Sequence, residues 1–426
     1  MVKINPFKPN SPVPPGMFIG RIEEIERIES QLFQIRAGQS TNFLITGERG
    51  IGKSSLLLFT KFIAQGDITF SSKEDKLNFL VIDTDIDPKT TQLGLVKKIE
   101  LNLRKALDRS EPTKKFFSDV WGFLKKIEAA GFKIGANKSD NFDETAFEEF
   151  VFSLSDTVNR LSNDQSENIF NAKYDGVLLL IDEADNSSPE LNLGTFLKLL
   201  LEKLQRRNCN HFIVGLAGLP ILKQTLINSH PSSLRLFEDI LVEQLTNKEV
   251  ERVIDRCLEE AEKLNNKKTE ITPTAKQILV NFSEGYPHFI QQFGHCAFSK
   301  DNDNIIDEND CFDGAMSSGG ALDLIGERYY RDNFYNKVQK ESYRQVLRIM
   351  AEYKNVWVTK KYIKSKFKGN EAILNNAIKA LRDRHIILPK EGEKGIYRLQ
   401  HRGFALWIKL KTTPPKELKE EVEVTE

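Results

Sequence analysis

Apolar residues follow two rhythms along this chain. Short apolar runs occur at 43–46, 77–83, 177–181 and 212–216, and between them apolar residues return at every third or fourth position. The runs predict buried strands, those without polar breaks being covered on both faces, and the longer period predicts helices. Ile22, Ile25, Ile28 and Leu32 make the first helical stripe. Strands alternating with helices predict a doubly wound α/β fold with a parallel sheet, and a further strand is expected at 240–245. The stretch from Asp108 to Asp175 is long, polar and mostly helical, with a loop expected at 131–141. Its Phe116, Phe117 and Phe123 are expected in a helical core.

From Thr246 the pattern turns helical, at 248–264, 274–283 and 287–300, as expected for a small lid after the sheet. Gly285-Tyr286-Pro287-His288 supplies a turn and opens the last of these helices, because proline is tolerated in a first helical turn. The segment 341–410 has the rhythm of a winged helix-turn-helix. A helix at 341–353 turns Val346, Leu347 and Met350 inward, Thr359 caps 360–367, and Asn370 caps 371–384 with Leu374, Ile378 and Leu381 as its buried stripe. Strands at 386–388 and 396–399 flank Glu391-Gly392-Glu393-Lys394-Gly395, a hairpin with glycines where a wing turns. The expected division is an extended proline-rich arm at 1–16, a nucleotide domain at 17–245, a lid at 246–334, a winged helix at 335–412 and an acidic disordered tail at 413–426.

Charge sharpens this division. The 426 residues hold 61 Lys plus Arg against 61 Asp plus Glu, so the total charge predicts no partner. Residues 335–412 hold 19 basic against 6 acidic residues, a net +13 that the rest of the chain must balance with −13. A basic terminal domain on an acidic body is the electrostatic footprint of nucleic-acid contact, so double-stranded DNA is an expected partner. Asn375, Asn376, Lys379 and Arg382 on the third helix, with Lys394 in the wing, are the side chains expected to touch it. Cys209, Cys257, Cys296 and Cys311 are scattered without metal-binding spacing and read as reduced thiols of a cytoplasmic protein. No apolar run reaches the ~20 residues that span a bilayer, so no membrane is expected as partner.

The chemistry concentrates in two motifs. Gly47-Glu48-Arg49-Gly50-Ile51-Gly52-Lys53-Ser54 is a full phosphate-binding loop between a predicted strand and a predicted helix that continues through Ser55. Its glycines let backbone N–H groups converge on phosphate oxygens, Lys53 reaches the β/γ-phosphates, and Ser54 is expected to ligate Mg²⁺. Far downstream, the apolar run at 177–181 ends in Asp182 and Glu183, which the carboxyl end of a parallel strand would bring beside that loop. Asp182 is then the Mg²⁺ partner, directly or through water, and Glu183 the candidate base for the attacking water. Asp182-Glu183-Ala184-Asp185 also spells a helicase motif, a coincidence because no second motor domain follows.

Together these pieces resemble the AAA+/STAND group of P-loop ATPases, close to the replication-initiator-like, origin-recognition-like proteins, over residues 5–410. The resemblance rests on Phe18-Ile19-Gly20-Arg21, the phosphate loop, Ile181-Asp182-Glu183-Ala184-Asp185 and Gly285-Tyr286-Pro287. It implies ATP with Mg²⁺, an entry segment in which Phe18, Gly20 and Arg21 pack on the adenine, and a lid that places Pro287 and His288 near the nucleotide. It also implies a nucleotide-dependent homo-oligomer in which Arg235 reaches a neighbour's nucleotide; the alternative is a surface arginine, solvated or paired with Glu238 or Asp239. His288 has a second reading too, as a packing residue at a helix start. Two departures point to slow, switch-like hydrolysis. The fourth strand runs into Ala217-Gly218-Leu219-Pro220 with no polar sensor, and the lid offers His288 where relatives carry a sensor arginine. Two functions follow as expectations. One is an ATPase that couples nucleotide state to DNA binding through the winged helix. The other is a STAND-type signalling or defence switch whose output is oligomerisation or recruitment of a protein partner.

Overall fold

The computed structural model describes residues 3–70, 75–107, 110–127, 142–163, 169–170, 172–353, 355–390 and 392–412. The loop expected at 131–141 and the tail at 413–426 lie outside the described residues. The chain divides into two compact units, Pro12–Glu243 and Met1–Ser11 with Gln244–Glu426.

The first unit is built on five parallel strands: β1 (Phe43–Gly47), β2 (Phe79–Asp85), β3 (Gly176–Asp182), β4 (Phe212–Gly218) and β5 (Glu238–Val242), in the order β2-β3-β4-β1-β5. The three central strands are the apolar runs without polar breaks, and all but the final Asp182 of their residues are buried. The edge strands β2 and β5 begin about two residues away from where the apolar pattern puts them. An edge strand pairs along one side only, so that one partner sets its span: Phe79 opposes Gly176, and Glu238 opposes Phe43. Asn42, buried just before β1, ties the sheet to its surroundings by accepting the Val214 N–H at 2.9 Å and donating to the Leu236 carbonyl at 3.2 Å.

Helix α1 (Ile22–Arg36) buries Ile25, Ile28, Leu32 and Ile35, whereas Ile22 is 55% exposed, so its apolar stripe starts one turn later than predicted. Helix α2 (Lys53–Ala64) leaves the phosphate loop with Leu56, Leu57, Phe59 and Ile63 inward. The long segment between β2 and β3 contributes heavily to the core. Its helices Glu111–Val120 and Glu144–Ser162 are capped by Ser110 and Asp143, and Phe116, Phe117 and Phe123 are buried as expected. Trp121, 1% exposed, donates its indole N–H to Thr157 Oγ1 at 3.0 Å, so its one polar atom is satisfied inside.

In the second unit, helices Asn247–Asn265, Pro273–Ser283, Pro287–Lys300 and Glu308–Met316 make up the segment expected to be a lid. Thr246 and Glu249 close a reciprocal cap on the first of them. The N-terminal arm is draped on this unit: the Phe7 ring is 2% exposed, fills the space beside Gly294 and lies 6.4 Å from the Phe298 ring. Farther on come helices Glu341–Glu352, Lys360–Lys366 and Glu371–Asp383, with an antiparallel sheet of β6 (Val358–Thr359), β8 (Ile396–Leu399) and β7 (Ile387–Pro389) in that order. Thr359 and Asn370 cap their helices by accepting the N–H groups of Tyr362 and Ile373, and Leu374, Ile378 and Leu381 are buried. Among the described residues, no helix is long and apolar enough to cross a membrane.

Candidate nucleotide site

The phosphate loop sits between β1 and α2 because the two glycines that turn it adopt positive φ, 80° at Gly50 and 102° at Gly52, where a side chain would be strained. Gly52 is also the N-cap of α2, so the loop delivers backbone N–H groups at a helix N-terminus. Lys53 Nζ lies over the loop and donates to the carbonyls of Gly47 at 3.0 Å and Glu48 at 2.9 Å. Burial pushes the Lys53 pKa below its usual value, against the opposing pull of Asp185, Asp182 and Glu48.

Strand β3 carries its two acids to the same end of the sheet. Ser54 Oγ donates to Asp182 Oδ2 at 2.6 Å, and Asp182 Oδ1 accepts the Glu183 N–H at 2.8 Å. A hydroxyl and a carboxylate held this close are hard oxygen donors of the kind Mg²⁺ takes alongside phosphate and water. Glu183 is exposed and sits in the left-handed region at φ 52°, with Asn186 Nδ2 donating to its carboxylate at 3.2 Å. Asn186 is a contact that the strand-end pattern gave no reason to expect.

The entry segment is organised by Arg21. Its guanidinium donates to the Ile51 carbonyl at 3.3 Å and to the Glu243 carbonyl, and its Nη1 lies 3.5 Å from Glu24. Arg21 is 9% exposed, so it fastens the phosphate loop to the end of β5. Phe18 stacks on Phe59 of α2 with ring centroids 5.0 Å apart, and Gly20 has φ 77°. Ser55 Oγ accepts the Val13 N–H at 3.3 Å, and Arg49 is exposed at the loop tip.

Other sequence candidates lie elsewhere. Arg235 is exposed on a short 3-10 turn (Ser233–Leu236) ahead of β5. Among the described residues it makes no ion pair: Glu238 is taken by Arg27, and Asp239 by Lys223. Pro287 and His288 belong to the second unit, where Pro287 opens its helix and the His288 ring lies 5.2 Å from the Tyr329 ring. Asn375, Asn376, Lys379, Arg382 and Lys394 are all exposed, and Arg382 lies 3.9 Å from Asp383.

Residues 17–214 match the AAA ATPase domain family. Among solved structures, the Walker-type ATPase PABY2304 of Pyrococcus abyssi is similar at a TM-score of 0.53 and 16% identity, over 92% of this chain and 96% of that one. The ORC2 protein of Aeropyrum pernix, in its ADPNP–ADP complexes, is similar at a TM-score of 0.53 and 14% identity, over 96% of this chain and 98% of that one. No curated protein matches the chain. The sheet, the phosphate loop and the matched domain agree: residues 17–214 carry an AAA ATPase domain, and the chain shares its fold with these solved structures.

Proposed function

We propose that the protein binds ATP with Mg²⁺, hydrolyses it slowly, and uses nucleotide state to set DNA binding by a basic winged helix. The observation that carries the nucleotide half is the convergence of Lys53, Ser54, Asp182 and Glu183 at one end of the sheet. Adenine nucleotides in the ORC2 relative are consistent with ATP. Lys53 would exchange its two carbonyl partners for phosphate oxygens when nucleotide arrives, and Ser54 and Asp182 would hold Mg²⁺, which would supply neutralisation of the charge developing on the phosphates. Glu183, exposed at the turn after β3, orients and deprotonates the attacking water. Phe18 and Arg21 bound the purine side, and Arg235 completes the site of a neighbouring subunit in the oligomer.

The DNA half rests on the net +13 of residues 335–412 and on the exposure of Asn375, Asn376, Lys379, Arg382 and Lys394. Duplex binding carried by such a surface weakens steeply as salt rises. Fluorescence anisotropy of labelled duplex DNA at two salt concentrations, with ATP·Mg²⁺, ADP·Mg²⁺ or no nucleotide, tests the coupling. Salt-sensitive binding that changes with nucleotide supports it, and equal binding in all three states rejects it.

One observation favours the signalling alternative. The lid and the basic elements share one compact unit, and Glu284 of the lid accepts the backbone N–H groups of Arg402 and Gly403 at 2.6 and 3.1 Å. In that reading the basic elements clamp the lid and the output is assembly with other proteins. ATP-driven oligomers on protein alone, without DNA binding, select it.

A further inference from the structure

The fourth residue of the acidic motif, Asp185, has a partner that its sequence position does not announce. It lies in the 3-10 turn Ala184–Asn186 directly after Glu183, and its Oδ1 accepts the Leu219 N–H at 2.9 Å. Leu219 is the first residue beyond β4. A Cβ on Gly218 would stand 2.7 Å from Asp185 Oδ1 and 3.1 Å from the Asp185 backbone nitrogen. The carboxylate therefore fills the space that a side chain at the end of β4 would otherwise take. This is where Ala217-Gly218-Leu219-Pro220 supplies no polar side chain of its own.

From this geometry we infer that Asp185 is a positioning residue for ATP hydrolysis. By bonding the turn after β3 to the tip of β4, it fixes the turn that carries Glu183. The polar group missing from β4 is thus supplied from the neighbouring strand. Glu183 needs such a fixture, because it is exposed and held in a left-handed conformation that a non-glycine residue keeps only when its surroundings impose it. The inference rests on the reading of Glu183 as the base.

The test compares Asp185→Ala, Asp185→Asn and the wild-type full chain in steady-state ATP hydrolysis and in equilibrium binding of a fluorescent ATP analogue, well below the melting temperature. Asn keeps an acceptor oxygen for Leu219 and loses the charge. The expected result is a kcat about 10- to 100-fold lower for Asp185→Ala, of the size that misplacement of a catalytic group produces. Nucleotide affinity should change by less than about threefold, with most of kcat restored in Asp185→Asn. Unchanged kcat in Asp185→Ala, loss of nucleotide binding in step with kcat, or an Asn variant as slow as the Ala variant each overturns the inference. Gly218→Ala is the second variant, since its methyl would stand 2.7 Å from Asp185 Oδ1 and 2.8 Å from Leu222 Cδ2 and so push the carboxylate from its place without changing residue 185; it should slow hydrolysis in the same way, and wild-type kcat there also overturns the inference. Glu183→Gln, run in parallel, separates the two readings. If it hydrolyses ATP like wild type, the base assignment fails, while the contrast between the Asp185 variants still decides the role of Asp185.

Discussion

Ser54 and Asp182, 128 positions apart in sequence, are joined by a 2.6 Å hydrogen bond from hydroxyl to carboxylate. That bond puts the helix start after β1 and the end of β3 in direct contact, so the two proposed Mg²⁺ donors stand together. On the proposed reading, Ser54→Ala leaves one hard donor of the two. The Mg²⁺ concentration for half-maximal hydrolysis is expected to rise about tenfold or more, a loss of the size seen for one member of a metal shell. A Mg²⁺ titration of phosphate release reads it, and an unchanged requirement would remove Ser54 from the metal site.

Glu183 is exposed, and its backbone N–H is already used by Asp182. Glu183→Gln keeps shape and the contact with Asn186 but cannot accept a proton. Hydrolysis is expected to fall by about 10² to 10⁴, the usual worth of general-base catalysis, with ATP affinity kept. Single-turnover phosphate release with a parallel binding titration separates the two quantities.

Arg21 is expected to matter for folding as much as for nucleotide. Its guanidinium serves carbonyls of Ile51 and Glu243 from a site 9% exposed, and truncation would orphan them. Arg21→Ala is expected to cost about 2–3 kcal/mol. Arg21→Lys should recover only part, because an ammonium cannot fork to two acceptors as a guanidinium does. Chemical denaturation of the three proteins provides the comparison, and a loss below ~0.5 kcal/mol for Arg21→Ala would contradict it.

Glu284 gives a pH prediction. Burial raises its carboxyl pKa above the usual 4.5, although the N–H groups of Arg402 and Gly403 pull the other way. A folded-state pKa above the unfolded one means that the folded chain binds the proton first as pH falls. The wild type should therefore gain stability relative to Glu284→Gln as pH drops from neutral towards 4.5, and lose that gain as pH rises through the folded value. Paired melting curves across that range check the sign. At neutral pH, Glu284→Ala removes a cap and is expected to cost about 1 kcal/mol.

Burial pushes the thiols of Cys209, Cys257 and Cys311 up to about 12, and raises Cys296 as well. At pH 8 almost none of the first three is thiolate, so iodoacetamide should modify the half-buried Cys296 first. Peptide mass spectrometry of the native protein over time reads the order, and prompt labelling of Cys257 would contradict it.

The chain by itself determined the central strands, the phosphate loop and the helix caps. These depend on local facts: apolar runs such as Val177-Leu178-Leu179-Leu180-Ile181 have no soluble alternative to burial, Gly50 and Gly52 alone tolerate the loop's backbone, and Thr359 and Asn370 accept N–H groups three residues ahead. Edge strands were less legible, because β2 and β5 start where a neighbour offers hydrogen bonds and not where hydrophobicity begins. The connections of Asp185 to Leu219, Arg21 to Glu243 and Glu284 to the Arg402–Thr412 helix join residues 34, 222 and 118 positions apart. No periodicity or motif encodes such pairings. They are decided when the sheet order β2-β3-β4-β1-β5 sets the ends of β3 and β4 side by side, and when packing buries a charged side chain against backbone groups that must find partners.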